Sequence, residues 1–158
     1  MAKFRAEGAV MGRDGIAVVP VGEQLPDQFF FLQEQAAAEG VRNMDLLALG
    51  WFTGAERFEQ PGALFAAYAN GALAGVGGVT PQADLAEPAM RMRRLYVAPV
   101  FRRLGVGRML AERMIAHGLR NAPLLTANAR ASAAAPRFWR AMGFSAVLAA
   151  DHTHERRR

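Results

Sequence analysis

A chain of 158 residues, 52% hydrophobic and 21% charged, suits one domain with one core and is too apolar for a wholly disordered protein. It has no cysteine and only three histidines, which excludes disulfides, thiol nucleophiles and cysteine-ligated metals, and we expect no metal site. No apolar run reaches the roughly 18–20 residues that span a bilayer, and residues 1–15 lack a signal-peptide core, so we expect a cytoplasmic protein with no membrane partner.

The net charge of +5 is unevenly distributed along the chain. Residues 1–90 carry five basic and eleven acidic side chains, a net charge of −6, whereas residues 91–140 carry eleven arginines and one acid, a net charge of +10. Such a basic block suits a phosphorylated cofactor, nucleic acid or an acidic membrane, or it is simply a solvated surface. Few exposed aromatic residues accompany the arginines, which argues against nucleic acid. The acidic first half would suit a cationic partner.

Hydrophobic periodicity and turn residues divide the chain into three parts. We expect an N-terminal extension at residues 1–15, a single domain at 16–150, and a C-terminal edge strand or tail at 151–158. The predicted elements are a strand at 16–21, helices at 26–40 and 44–52, strands at 64–69, 72–80 and 90–97, a helix at 106–117, a strand at 124–127, a helix from about 132 to 142 and a strand at 144–149. This order predicts an α/β or α+β domain with a mixed sheet.

Individual residues mark the ends of several of these elements. Asn43 is the expected cap of the second helix, and Gly118 is expected to end the helix that precedes residues 124–127. Asn70-Gly71 predicts a tight hairpin, because both turn positions favour positive φ. Three glycines in the next strand, at positions 75, 77 and 78, indicate either a loosely specified bulged strand or close approach of another group.

The strand at residues 90–97 contains a slip in its alternation of apolar and polar residues. Met90 and Met92 alternate with arginines, but Leu95 and Val97 continue the apolar set one residue out of phase. A β-bulge at Arg93-Arg94 would return Met92 and Leu95 to one face. The alternative is that the two methionines face solvent.

The segment after this strand has the strongest functional pattern. A loop rich in glycine and arginine leads into a helix, whose first turn presents unpaired N–H groups at the positive end of the helix dipole. Gly105 and Gly107 let the backbone approach a ligand closely, and Arg102, Arg103 and Arg108 add positive charge. These residues predict a pyrophosphate cradle. The dinucleotide pattern G-x-G-x-x-G and the Walker pattern are both absent.

Three runs of residues resemble those of the GNAT superfamily of N-acetyltransferases. Arg102-Arg103-Leu104-Gly105-Val106-Gly107 is similar to the family's acetyl-CoA loop, Arg/Gln-x-x-Gly-x-Gly/Ala, and Leu95-Tyr96-Val97-x-Pro99 resembles its fourth strand. Phe138-Trp139-Arg140-Ala141-Met142-Gly143-Phe144 resembles the ending of its last helix. The resemblance implies a mixed, mostly antiparallel sheet of six to seven strands flanked by about four helices, with the fourth and fifth strands (residues 90–97 and 124–127) splayed apart.

The resemblance also implies a cosubstrate and a set of contacts. Acetyl-CoA would place its pyrophosphate on the loop and its pantetheine arm along the backbone of the fourth strand. The backbone N–H groups of Tyr96 or Val97 would stabilise the oxyanion that develops during direct transfer to an amine. The residues implied to bind acetyl-CoA are Leu95, Val97, Arg102, Arg103, Leu104, Gly105, Val106, Gly107, Arg108, Ser132 and Trp139.

The acid and base of the reaction do not follow from the resemblance. Trp139 stands where family members often have a tyrosine that protonates the thiolate, and Arg91 stands at a frequent glutamate position. Water would then do both tasks, or acids from other segments would: Glu56 and Glu87, or Glu59 and Asp84. The alternative function is an acyl-CoA-binding protein with weak or lost catalysis.

The acceptor stays open between a small-molecule amine and a peptide amine. We expect its site near the loop between the first two helices, residues 60–62 and the C-terminal segment, where His152 or His154 would contact it. Exposed sheet edges would also allow a homodimer.

Overall fold

The computed structural model describes residues 10–11 and 15–158 of the chain. Most of the predicted N-terminal extension therefore lies outside the described residues. Four α-helices occur in the described part: α1 Phe29–Ala38, α2 Asn43–Thr53, α3 Val106–Asn121 and α4 Ala135–Ala141. The strands are β1 Val10–Met11, β2 Ile16–Pro20, β3 Ala63–Ala69, β4 Ala72–Gln82, β5 Ala89–Val97, β6 Leu124–Ala127, β7 Ser145–Ala146 and β8 His154–Arg157.

The strands form one mixed sheet in the order β1-β2-β3-β4-β5-β6-β8-β7. Only β5 and β6 are parallel, and every other neighbouring pair is antiparallel. The predicted fold class is thus confirmed, and the short β1 brings the number of described strands to eight. Asn70 and Gly71, with φ of 49° and 84°, form the predicted tight turn between β3 and β4.

The two faces of the sheet are covered by different helices. Residues of α3 pack on one face together with Phe65, Met90, Met92 and Leu125. The helices α1 and α2 pack on the other face, where Val76 and Tyr96 belong to the same cluster as their buried residues. Successive side chains of β5 therefore point alternately to the α3 face and to the α1/α2 face. In the described residues, no helix is both long enough and apolar enough to cross a membrane.

β5 contains a bulge at Arg94 and Leu95, one residue after the predicted position at Arg93-Arg94. The partner of Gly78 is Arg93 and that of Val76 is Tyr96, so two residues of β5 face the single Gly77. Arg94 has a φ of 56°, a conformation that side-chain-bearing residues rarely adopt. The bulge restores the phase of the strand, because Met92 and Leu95 both pack on the α3 face.

The β4 glycines mark close approach of other groups. A Cβ on Gly75 would lie 2.6 Å from the Tyr96 carbonyl oxygen, and one on Gly78 would lie 2.4 Å from the Phe58 ring. A Cβ on Gly77 would lie 2.7 Å from the Met114 sulfur. Side chains at these positions would push β5, α3 or Phe58 away, so the glycines allow tight packing on both faces of β4.

Two predicted helix boundaries are wrong. Gly118 lies inside α3, which continues to Asn121; a Cβ at this position would lie 2.6 Å from the Leu125 side chain, so glycine is needed for α3 to approach β6. Asn43 does not cap α2, since its side chain makes no cap hydrogen bond and instead donates to the Leu95 carbonyl at 3.2 Å.

The C-terminal strand is an interior strand of the sheet and neither an edge nor a tail. β8 pairs with β6 on one side and with β7 on the other. Glu155 and His154 of β8 lie opposite Thr126 and Ala127 of β6, which joins β8 to the centre of the sheet. The Arg158 amide, just after β8, also donates to the Pro123 carbonyl at 3.0 Å.

Candidate functional site

The loop between β5 and α3 presents a row of unpaired backbone amides. The amides of residues 103–108 donate no hydrogen bond to another group of the described chain, and the Met109 amide is the first to bond, to the Gly105 carbonyl at 3.0 Å. Arg103 and Gly105 have φ of 64° and 86°, which turn the loop into the helix. The first turn of α3 contains no acid. This arrangement attracts an anion through N–H groups and the helix dipole.

Packing within the protein does not explain the glycine at position 107. A Cβ on Gly107 would meet the Val97 and Phe138 side chains at 3.6 and 3.7 Å, which is ordinary contact. The protein's own packing therefore does not require glycine there, whereas close approach of a ligand to the backbone would. Phe138 of α4 lies beside Gly107 but was not among the predicted site residues. Its position in the motif that ends at Gly143-Phe144 could have indicated it.

The edge of β5 next to this loop is open. The strand pairs with β6 only at residues 89–91, so residues 92–97 have no strand partner on that side, as the predicted splay requires. Because the Ala98 amide donates to the Ala74 carbonyl, alternation of the ladder directs the Tyr96 amide toward Val76 in β4 and the Val97 amide toward the open side. Of the two predicted oxyanion donors, only Val97 faces the cleft.

The Arg102 side chain points away from the unpaired amides. Its Nη1 and Nη2 donate to both oxygens of Glu39 at 2.8 and 2.6 Å, and its Nε donates to the Val97 carbonyl at 3.0 Å. The Tyr96 hydroxyl donates to the same carboxylate at 2.6 Å. These hydrogen bonds lower the pKa of Glu39, Arg102 contributing most, while burial and then Glu39 raise the pKa of Tyr96. Arg102 thus connects the end of α1 to β5 and does not bind phosphate in this conformation.

A second contact joins α2 to the bulge. Asn43 donates to the Leu95 carbonyl, and its own Oδ1 is buried without a hydrogen-bond partner. The carbonyls of Leu95 and Val97 therefore each accept one side-chain hydrogen bond, which fixes the open edge of β5. Neither Asn43 nor Glu39 was predicted in these roles, because their partners are 52 and 63 residues away in the chain.

The other predicted acetyl-CoA residues divide into exposed and buried ones. Leu104 and Ser132 are exposed, and Arg108 is exposed but bonds to Glu112 at 3.2 Å. Val106 is buried at the start of α3. Trp139 is 6% exposed and packs edge-on against Phe138 and Phe144 in the core.

The predicted base candidates do not form an acid–base pair at the bulge. Glu56 does lie there, but Arg94 Nε is 3.3 Å from one of its oxygens and Arg93 Nη1 is 3.6 Å from the other. Both carboxylate oxygens of Glu56 are thus already paired with guanidinium groups of the bulge.

Glu87 precedes β5 and pairs with Arg157 at 2.6 Å, at the other end of the strand and roughly 25 Å from Val97 at about 3.3 Å per residue. Asp84 lies in the same loop, and Glu59 is exposed. Glu87 thus lies at the end of β5 opposite Val97.

The two C-terminal histidines are buried and already hydrogen-bonded. His152 contacts Asp151 through Nδ1 and Glu155 through Nε2, each at 2.8 Å, and His154 Nδ1 contacts the Thr153 hydroxyl. Burial opposes a charged His152 ring, but the contacts with Glu155 and Asp151 outweigh it and raise the pKa of His152. In the described part of the chain, no group of three or more His, Asp or Glu side chains is arranged to hold a metal.

Solved structures of acetyltransferases are similar to this fold. A protein of Exiguobacterium sp. 255-15 assigned as an acetyltransferase has a TM-score of 0.80 and 22% identity over 90% of this chain and 93% of its own. An acetyltransferase from Streptococcus agalactiae 2603 has a TM-score of 0.69 and 12% identity, over 91% of this chain and 99% of its own. The Salmonella typhimurium protein yncA, solved with its cofactor acetyl-CoA, has a TM-score of 0.66 and 14% identity, over 90% of this chain and 94% of its own.

The sequence comparison assigns the chain to a family. No protein with a curated description matches the chain in sequence. The model of the acetyltransferase (GNAT) family matches residues 25–144, which include α1 through α4 and the loop of unpaired amides. The chain therefore belongs to the acetyltransferase (GNAT) family and is an N-acetyltransferase with acetyl-CoA as its cosubstrate.

Proposed function

We propose that the protein transfers an acetyl group directly from acetyl-CoA to a primary amine of a small molecule or peptide. The observation that carries this proposal is the continuity of two unpaired backbone surfaces. The amides of residues 103–108 follow directly on the open edge of β5 at residues 92–97. One binds a pyrophosphate, and the other pairs with an extended arm as an added strand would.

Each backbone group along this path has a proposed task. The amides of residues 103–108 hold the pyrophosphate, and the exposed Arg103 adds charge beside them. Leu95 and Val97 pair with the pantetheine arm. Their carbonyls already accept one bond each, from Asn43 and Arg102, and keep one lone pair for the ligand. The Val97 amide stabilises the charge that develops on the acetyl oxygen.

Proton transfer in this proposal depends on water. Glu56 is held by two arginines, and Trp139 lies in the core. A water molecule at the bulge takes the proton of the attacking amine, and the CoA thiolate leaves without a protein acid. The same observations favour the second candidate, a protein that binds acyl-CoA with weak or lost catalysis.

The charge pattern of the sequence gives less support to a cationic acceptor than its arithmetic suggested. Three acids of the first half, Glu39, Glu56 and Glu87, form ion pairs with arginines of the second half. Their charge is therefore balanced within the protein. Competition of polyamines against neutral amines at low salt would test what remains of that hypothesis.

The homodimer and the cytoplasmic location stay predictions.

Thiol release separates the two candidate functions. The protein is incubated with acetyl-CoA and a panel of amines that includes polyamines, amino acids, an aminoglycoside and a peptide N-terminus. We expect release above the rate without enzyme for at least one amine. A thermal shift with CoA but no release with any amine would favour the binding protein.

A glycine substitution tests the cradle itself. Gly107→Leu would fill the space above the amides, whereas Gly22→Leu, a matched control, has no atom within 4 Å of its Cβ position. We expect the stabilisation by CoA in thermal denaturation to disappear in the first variant and persist in the second. Full stabilisation of folded Gly107→Leu by CoA would place the pyrophosphate elsewhere.

A further inference from the structure

A cavity of about 320 Å³ lies at the end of the sheet where β2 ends and β3 begins, beside α3. Its walls come from the end of β2, the segment before β3 and the second half of α3. The predicted acceptor residues 60–62 border this cavity and not the open edge of β5. Along α3, the cavity begins at Arg113, five residues after the last unpaired amide, or roughly 7 Å from it at about 1.5 Å per residue. It is thus separate from the row of unpaired amides.

The polar lining of this cavity is cationic. Arg57, Arg113, His117 and Arg120 contribute to it, and no described residue of the lining is an aspartate or glutamate. Arg57 uses its Nε to bond the Trp51 carbonyl at 3.1 Å, and neither of its terminal nitrogens has a hydrogen-bond partner in the described chain. Arg120 Nη2 lies 3.5 Å from His117 Nδ1, and His117 Nε2 is 2.8 Å from the Pro61 carbonyl.

Two aromatic rings complete the site. Phe58 and Phe65 also line the cavity, and the Arg113 guanidinium lies 5.0 Å from the centre of the Phe65 ring. Burial, and then the charge of Arg120, lower the pKa of Arg113. The cavity therefore combines a cationic wall with an apolar one.

We propose that this cavity binds a small organic phosphate. Its phosphate monoester would lie on the guanidinium groups of Arg57 and Arg120, whose forked N–H donors match phosphate oxygens, and its apolar body on Phe58 and Phe65. The cavity volume is near the lower end of the range for small-molecule sites, about 300–1,000 Å³, so the ligand is small. This site is independent of acetyl transfer and of the proposed acceptor.

The test uses phenyl phosphate as probe and the full chain saturated with CoA, which occupies the cradle. We expect phenyl phosphate to bind in isothermal titration calorimetry and inorganic phosphate to bind more weakly, because it lacks the apolar body. Phenol, which lacks the charge, should not bind. Absence of phenyl phosphate binding, or equal affinity for inorganic phosphate, would overturn the proposal.

Arginine substitutions assign the site. We expect Arg57→Gln with Arg120→Gln to weaken phenyl phosphate roughly tenfold or more, since each removes a charged hydrogen-bond donor. Arg42→Gln with Arg130→Gln removes the same charge from exposed positions outside the cavity and should leave the affinity unchanged. Equal weakening in both double variants would reduce the effect to net charge and contradict the site. If the Arg57 change unfolds the loop, Arg120→Gln alone, on the exposed side of α3, gives the same comparison with a smaller loss.

Discussion

The two ends of β5 differ in how their backbone is used. At residues 89–91 the strand pairs with β4 on one side and β6 on the other, and Met90 is buried in the core. At residues 92–97 it pairs with β4 alone, contains the bulge at Arg94 and leads into the unpaired amides after Val97. One strand thus serves stability at its beginning and, in the proposed function, ligand binding at its end.

This difference teaches where the chemistry of the site resides. The binding end is defined by backbone groups without partners and by residues with positive φ, at Arg94, Arg103 and Gly105. The side chains around it, Asn43, Glu39 and Arg102, bond to backbone or to one another and so position the strand. Substitutions should therefore separate into those that change stability alone and those that also change binding.

The largest expected effect is at the doubly paired end. Met90→Ala should lower the free energy of unfolding by about 2–5 kcal/mol, because it leaves a cavity beneath β5. Denaturant unfolding measures this loss, and Leu148→Ala, at a fully exposed site, is the control. The folded variant should bind CoA with unchanged affinity; a tenfold loss would show that the two ends are not separable.

A smaller loss of stability, joined to a loss of binding, is expected at the other end. A methyl group at Gly75 would lie 2.6 Å from the Tyr96 carbonyl and 3.2 Å from Val97. Gly75→Ala should cost about 1–3 kcal/mol and also weaken CoA binding, because β5 must move where the pantetheine arm pairs. Gly22→Ala, in open space, is the matched control. Unchanged CoA affinity in folded Gly75→Ala would argue against the open edge as the binding path.

Much of this comparison was predictable from local sequence. The phase slip between Met92 and Leu95 predicts the bulge, and the glycines before α3 predict the unpaired amides. These patterns are local because alternation and helix entry depend on neighbouring residues. The pairing of Glu39 with Arg102 and of Asn43 with Leu95 joins distant segments, and no periodicity reports such contacts.

Glu39→Gln should have a modest effect that depends on pH. The pKa of this carboxylate is lowered from its usual value of 4.5, so its ion pair stabilises the protein above that pH and the stabilisation is lost as the pH falls through the lowered pKa. We expect a loss of about 1 kcal/mol near neutral pH that disappears in acid. Acetyl transfer should also slow, since Arg102 would no longer be held on the Val97 carbonyl. Glu34→Gln, on the same helix, should change neither property.

The smallest effect should be the pH-dependent part of stability at His152. The raised pKa means that the charged ring stabilises the fold below its usual value of 6.5 and that this contribution is lost as the pH rises through the raised value. The difference in Tm between the protein and His152→Asn should therefore be larger near pH 6 than near pH 9. A difference that grows with pH would contradict the charged, doubly bonded ring. Affinity for CoA should not change, because Glu155 pairs across from Thr126, level with the doubly paired end of β5.

Other features needed the whole fold to be understood. Gly118 reads as a helix end in sequence, but its role depends on Leu125, which approaches it from β6. The residues of β8, His-Glu-Arg-Arg, show no apolar alternation, because hydrogen bonds to strands on both sides place them in the sheet. Glu56 could be placed near the site only once the loop before β3 was seen to reach Arg93 and Arg94.

The interior position of β8 has a consequence for how the sheet assembles. β7 precedes β8 in the chain, but β7 pairs with β8. The part of the sheet beyond β6 therefore cannot form until residues 154–157 have been synthesised. During synthesis the side of β6 that will receive β8 remains exposed, a template for wrong pairing with another chain. Shortening the chain before His154 would thus remove two strands for the loss of five residues, and aggregation during expression would be its first sign.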